Sequence, residues 1–268
     1  MENNCENSSN KVLDKISKIY VINLERSKDR WEKAKKSLDK LDIKYERFNA
    51  INGMEVKIKD KDSDTEFHGI DFKNNITSLE IGHKYEINCN PGNETETKFN
   101  YLHINLDYKY SMGYFGIICS NLMIAKEIVS NKYQYTIVFE DDISVNPKNF
   151  KEKLASYINH LPATFDLAYL GVYNNVSEQV PVNQYVNKFA DGANFFCRMG
   201  LIESYKAAEK FILNPMFWGS LDHFIRANAV YNNIANTEQK ILEVYLSPQL
   251  QGDIWITSDY SEIEKMKV

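Results

Sequence analysis

Three consecutive carboxylates, Glu140, Asp141 and Asp142, follow the apolar run Thr136-Ile137-Val138-Phe139. Neighbouring like charges repel, so folding alone gives no reason to set them together. At the end of a buried strand they form a patch of hard oxygen ligands, suited to Mg²⁺ or Mn²⁺. One or two such carboxylates commonly share the cation with substrate phosphates, and the cation then offsets the repulsion and holds a diphosphate. The other use of the same residues is a solvated acidic turn that caps a helix starting near Pro147.

The elements around this triplet must put it at an edge that a ligand can reach. Residues 18–24 are a short run of β-formers, with Ser27 placed as helix N-cap and Asp29 in the first turn. Trp31, Ala34, Leu38 and Leu41 recur at helical spacing, and residues 45–50 form the next strand, closed by Asn52-Gly53. Strand, helix, strand is a βαβ unit and implies a parallel pair. Residues 55–111 break the pattern with charged, Asn-rich, alternating pieces, which read as an inserted β-rich flap without a core of its own. Beyond it come a helix over 117–129, a strand over 135–139, a helix from Pro147 and Asn149 to Leu161, and a strand over 167–171. Residues 193–198 and 240–246 read as strands, 201–213 and 220–230 as helices. Alternating strands and helices give a three-layer α/β sandwich, in which ligands bind beyond the carboxyl ends of the strands. The acidic triplet falls at such an end.

Composition narrows the function. The net charge of −5 comes from well-mixed acidic and basic residues, so no basic face for nucleic acid is expected. We find no run near the roughly 20 apolar residues of a membrane span, and the polar N-terminus lacks the core of a signal peptide. Residues 1–17 read as a disordered leader to a soluble cytoplasmic protein, and 18–262 as one domain. The four cysteines are scattered without a CxxC pair, against a zinc site; Cys119 and Cys197 lie in apolar runs as small core residues.

Several segments, in order, resemble glycosyltransferase family 25, which includes lipopolysaccharide-biosynthesis and procollagen galactosyltransferases. They are Ile22 to Arg30 (INLERSKDR), Phe48 to Gly53 (FNAING), Gly113-Tyr114-Phe115-Gly116 with Ser120, Val138 to Asp142 (VFEDD) and Phe165 to Gly171 (FDLAYLG). Gly192-Ala193 and Asp222 also fall at family positions. The resemblance implies a GT-A fold with a mostly parallel central sheet, a UDP-hexose donor, and Mn²⁺ or Mg²⁺ held by Glu140 and Asp142. It places Asn23, Leu24, Arg26, Arg30, Asn49 and Gly53 near the nucleotide, together with Gly113, Gly116, Ser120, Asn121 and Asp141. Tyr114, Ile117 and Asn121 stand where family members carry Glu, Cys and His, which puts sugar choice or activity in question.

An inverting transfer, as the resemblance implies, needs a base for the acceptor hydroxyl. Asp222 is the first choice, with Asp191 and His223 behind it. Tyr169, Tyr173, Phe217 and Trp218 are candidates for a sugar-stacking platform. The acceptor implied is a surface glycan or a collagen hydroxylysine. Two rivals remain: a non-catalytic relative that binds a sugar nucleotide or a protein, and a sugar nucleotidyltransferase. The second normally carries a Gly-rich phosphate loop, and Asn23 to Arg30 contains no glycine.

Overall fold

The computed structural model describes residues 11–72, 79–80, 82–103, 111–174, 179–190, 193, 195–213, 216–217, 222, 225 and 242–256. The chain opens with strand β1 (Ile16–Asn23), helix α1 (Lys28–Leu38) and strand β2 (Glu46–Asn49). It continues through β3 (Lys57–Asp60), β4 (Glu66–His68), β5 (Lys84–Asn88) and β6 (Lys98–His103) to the long helix α2 (Met112–Asn131). Then come β7 (Tyr135–Glu140), β8 (Ile143–Val145), α3 (Phe150–His160), β9 (Leu167–Asn174), β10 (Gln179–Asn183), β11 (Val186–Phe189) and β12 (Phe195–Ser204). Helix α4 (Tyr205–Leu213), β13 (Met216–Phe217), β14 (Val244–Leu246) and β15 (Ile254–Ile256) complete the order.

Eight strands form one sheet in the order β10-β11-β14-β9-β12-β7-β1-β2. β1 lies parallel to both β2 and β7, as the βαβ reading expects. The sheet as a whole is mixed rather than mostly parallel. β12 runs antiparallel between β7 and β9, and β10, β11 and β14 also pair antiparallel. The cause is local. Residues 201–204, read as the start of a helix, extend β12 instead, and Ser204 Oγ accepts from Ala207 N at 3.1 Å to begin α4.

Helices cover both faces of this sheet. On one, Ala34 and Leu38 of α1 and Phe150, Leu154, Tyr157 and Ile158 of α3 pack on Ile19, Val21, Ile137 and Phe139. On the other, Ile124, Ala125 and Ile128 of α2 and Ala207, Ala208 and Phe211 of α4 pack on Tyr20, Val138, Leu167 and Leu201. Completely buried side chains of this size each contribute about 1.5–3 kcal/mol, so the strands are held by what covers them rather than by β-propensity alone.

The segment read as a flap is a second sheet of five strands, β13-β6-β5-β3-β4. It does have a core, shared with α2: Val56, Ile58, Phe72, Tyr85 and Ile87 pack against Phe115, Ile118, Cys119 and Leu122. Helix α2 is therefore clasped between two sheets, which explains why it is apolar nearly all round. It is long and apolar enough to cross a membrane, but more than half of its apolar stretch is buried inside the protein. Residues 11–13 make a helical turn, with Val12 and Leu13 packed on the main core, so this part of the leader is ordered.

Candidate active site at the carboxyl edge of the central sheet

The ends of β1, β2 and β7 are in register. Ile22 pairs with Glu140 and Asn23 with Asn49, so Asn23, Asn49 and the acidic triplet share one edge of the sheet. Asn23 is buried, and its Nδ2 donates to Asp141 Oδ2 at 2.5 Å and to the Ser27 carbonyl at 3.1 Å. Ser27 thus sits at the N-cap position of α1 without a side-chain cap; its carbonyl, not its hydroxyl, closes the turn. Among the described residues, Asn23 Oδ1 and Arg30 Nε are buried with no hydrogen-bond partner.

The three carboxylates have different surroundings. Asp141 is buried and fully engaged, by Asn23 on one oxygen and by the Arg30 guanidinium on the other. Burial pushes its carboxyl upward, against the pull of Arg30 and Asn23. Asp142 is partly accessible and lies 3.5 Å from Arg30 Nη2. Glu140 ends β7 without an ion pair within 4.0 Å among the described residues. Burial raises its carboxyl to about 8, Arg198 opposes this, and the charges of Asp142, Asp222 and Asp141 add to it. Asp222 is therefore close enough to act on the motif, although it lies 80 residues beyond Asp142 in the sequence. Glu140 and Asp142, hard oxygen donors flanking an occupied Asp141, suit a cation that would offset this crowding.

The described residues hold one three-ligand cluster of metal-binding geometry, and it lies elsewhere. Asp60, Asp62 and His83, in the five-stranded sheet, bring their ligand atoms within 4.8 Å of one another. Its members are already engaged: Asp60 Oδ2 lies 2.8 Å from His83 Nδ1, and Asp60 Oδ1 accepts from the Asp62 and Ser63 amides.

Of the other nucleotide candidates, Leu24 offers its carbonyl to Arg47 Nη2 at 3.2 Å and to Ser27 N at 2.8 Å. Arg26 and Asn49 are exposed, and Asn49 lies beside Asn23 at the end of β2. The glycines do steric work. A Cβ on Gly53 would lie 1.6 Å from the Met112 carbonyl oxygen, and one on Gly116 would lie 2.8 Å from the Ile51 carbonyl oxygen. They let the turn after β2 lie directly on α2. Ser120 Oγ completes this contact, accepting from Ile51 N at 2.9 Å and donating to the Gly116 carbonyl at 2.7 Å. Asn121 Nδ2 is turned back on its own helix, to the Ile117 carbonyl at 2.8 Å. Gly113 is exposed, and a Cβ there would meet the Ser111 hydroxyl oxygen at 3.6 Å, an ordinary contact.

Asp191 and His223 lie outside the described residues, as do Trp218 and the side chains of Tyr173 and Phe217. Tyr169 is buried, edge-on to Phe189, and is not an exposed stacking platform. Two side chains near the site had no sequence signal. Arg47 stacks on Trp31, with its Cζ 5.3 Å from the ring, and braces the loop after β1. Arg198, on the opposite flank, is buried beside Glu140.

The family model described as glycosyltransferase family 25 (LPS biosynthesis protein) matches residues 16–212. A Drosophila melanogaster protein, "Glycosyltransferase 25 family member", is 24% identical over 199 residues, covering 74% of this chain. The chain spans 28% of that relative's length. The match spans well over half of the chain and contains the strand ends, the acidic triplet and most of both cores of the central sheet, and on that ground the chain belongs to glycosyltransferase family 25.

Proposed function

We propose that this glycosyltransferase is a metal-dependent enzyme of GT-A type that moves galactose or glucose from a UDP-sugar to a hydroxyl acceptor, with inversion. Residues 18–262 would act as one domain, with 55–111 as an insertion that braces α2. The observation that carries the reading is the convergence of Asn23, Glu140 and Asp142 at one edge of the sheet, with Asp222 near enough for its charge to bear on Glu140.

A bound Mn²⁺ or Mg²⁺ at Glu140 and Asp142 would supply charge stabilisation for the departing diphosphate. The chain does the rest. Asn23 and Arg30 lock Asp141, so that its two neighbours are held in place by the backbone that Asp141 anchors. The orphaned Asn23 Oδ1 accepts a donor from the nucleotide, and Arg26 reaches the phosphates from the exposed turn. Asp222 takes the proton of the acceptor hydroxyl as the bond to UDP breaks. The acceptor is a surface glycan or a hydroxylysine side chain, both of which offer a hydroxyl on an otherwise polar scaffold.

Hydrolysis of UDP-galactose and UDP-glucose, measured with and without Mn²⁺, tests the proposal. Manganese-dependent release of UDP from either donor is expected. Tight UDP binding without turnover would instead support a non-catalytic binding protein, to which the Asn121 side chain, bonded to its own helix, gives some ground.

A further inference from the structure

Strand β12 is antiparallel to β7, so the residues before Gly200, which pairs with Phe139, extend past the carboxyl edge where the acidic triplet lies. The strand is irregular there. Phe196 pairs with Tyr173 and Gly200 with Gly171, and the register shifts between these pairs and again before Leu201. Such bulges turn a side chain away from the regular alternation, and they recur beside active sites. Arg198 sits within this one.

Arg198 is only 2% exposed, yet its Nε and Nη2 have no hydrogen-bond partner among the described residues. These two nitrogens form the side-on edge of the guanidinium, the fork that grips a carboxylate or phosphoryl group with two parallel hydrogen bonds. Glu140 feels the charge of Arg198, but among the described residues no ion pair within 4.0 Å joins them. Glu203 also senses Arg198, and its Oε1 likewise lacks a partner. The fork is thus empty next to two acids that do not fill it. A buried guanidinium in that state is poised for an anion that arrives from outside the chain.

We propose that Arg198 binds a phosphoryl group of the nucleoside diphosphate, at the cation's side of the site, and steadies the charge on the leaving diphosphate. This rests on the reading of the site as a UDP-sugar site. It adds a specific residue that shares the diphosphate with the cation bound at Glu140 and Asp142.

Calorimetric titration of the whole chain with uridine, UMP and UDP, at saturating Mg²⁺, separates the base from the phosphates. Wild-type protein is expected to prefer UDP over uridine. Arg198→Lys keeps the charge without the fork, and Arg198→Met removes both. Each is expected to shrink that preference by about 10- to 100-fold, the loss for a hydrogen bond to a charged group, with uridine affinity unchanged. Mn²⁺ titrated alone should bind Arg198→Lys about as tightly as wild type, because the charge is kept, and Arg198→Met at least as tightly, because a nearby positive charge has been removed. If Arg198→Met fails to fold in a thermal melt, Arg198→Lys decides the matter. An unchanged UDP preference overturns the assignment while leaving the donor site intact. A parallel fall in Mn²⁺ affinity would also overturn it, since Arg198 would then act through the cation site. Wild-type protein that binds neither uridine nor UDP would sink the donor reading itself, and this assignment with it.

Discussion

Glu140→Gln offers the sharpest physical test of the acidic edge, because it removes one charge and almost no volume. The Glu140 carboxyl stands at about 8, against an ordinary value of 4.5. Its sign follows from linkage. A carboxyl held above its unfolded value stabilises the fold fully below about pH 4.5, and that contribution fades as pH rises through about 8. Gln stays neutral throughout, so the variant should match wild type near pH 5 and exceed it increasingly up to about pH 8, above which the difference levels off. At about 1.4 kcal/mol per pH unit the ceiling is near 5 kcal/mol. Glu140 is partly accessible, so solvent screening reduces this to about 2 kcal/mol, or about 4–8 °C in Tm for a chain of this size. The assay is thermal and urea unfolding in EDTA across pH 5 to 9. Adding Mn²⁺ should reverse the order, stabilising wild type but not the variant, since only wild type binds it in the folded state. A variant less stable than wild type at pH 8.5, or one stabilised equally at pH 5, would refute the claim that Glu140 is an uncompensated charge.

Three further substitutions probe other parts of the structure. Asp142→Ala should abolish Mn²⁺-dependent hydrolysis of UDP-sugars while leaving circular dichroism and Tm close to wild type; normal turnover would exclude Asp142 as a metal ligand. Gly53→Ala should cost about 3 kcal/mol in urea unfolding, because the new Cβ would sit 1.6 Å from the Met112 carbonyl oxygen and force the turn off α2. Lys210→Met should cost about 3 kcal/mol by leaving Asp166 buried without its 2.5 Å partner, while Lys210→Met with Asp166→Leu should recover most of that loss.

The parts of the fold that were legible in the sequence are those set by local pattern. The apolar runs at 18–24 and 135–139 and the spacing of Ala34, Leu38 and Leu41 gave β1, β7 and α1 to within about three residues, with 39–41 tightening into a 3-10 turn. The position of Glu140 at a strand end followed from the same run. What was hidden depends on partners far away in the chain. Ser204, a good N-cap, marks where β12 stops and α4 starts, but the apolar residues before it suit either structure. In the sequence Gly53 reads as a turn residue and Gly116 as a donor-side glycine at the start of a helix, and their mutual approach across 63 positions shows the close packing between them. The short charged strands of 57–103 carry little hydrophobic period by themselves; their core is completed by α2. Arg198 was invisible for a related reason. Nothing in Phe195-Phe196-Cys197-Arg198-Met199 says that a bulge will bury its guanidinium beside a carboxylate contributed by another strand.

Crystals soaked in MnCl₂ and UDP, with data collected at the manganese edge, bear most directly on the central claim. An anomalous peak is expected against Glu140 and Asp142, with diphosphate density on its open side. A peak at Asp60, Asp62 and His83 instead, or no peak and no nucleotide along the edge formed by Asn23 and Asn49, would contradict it.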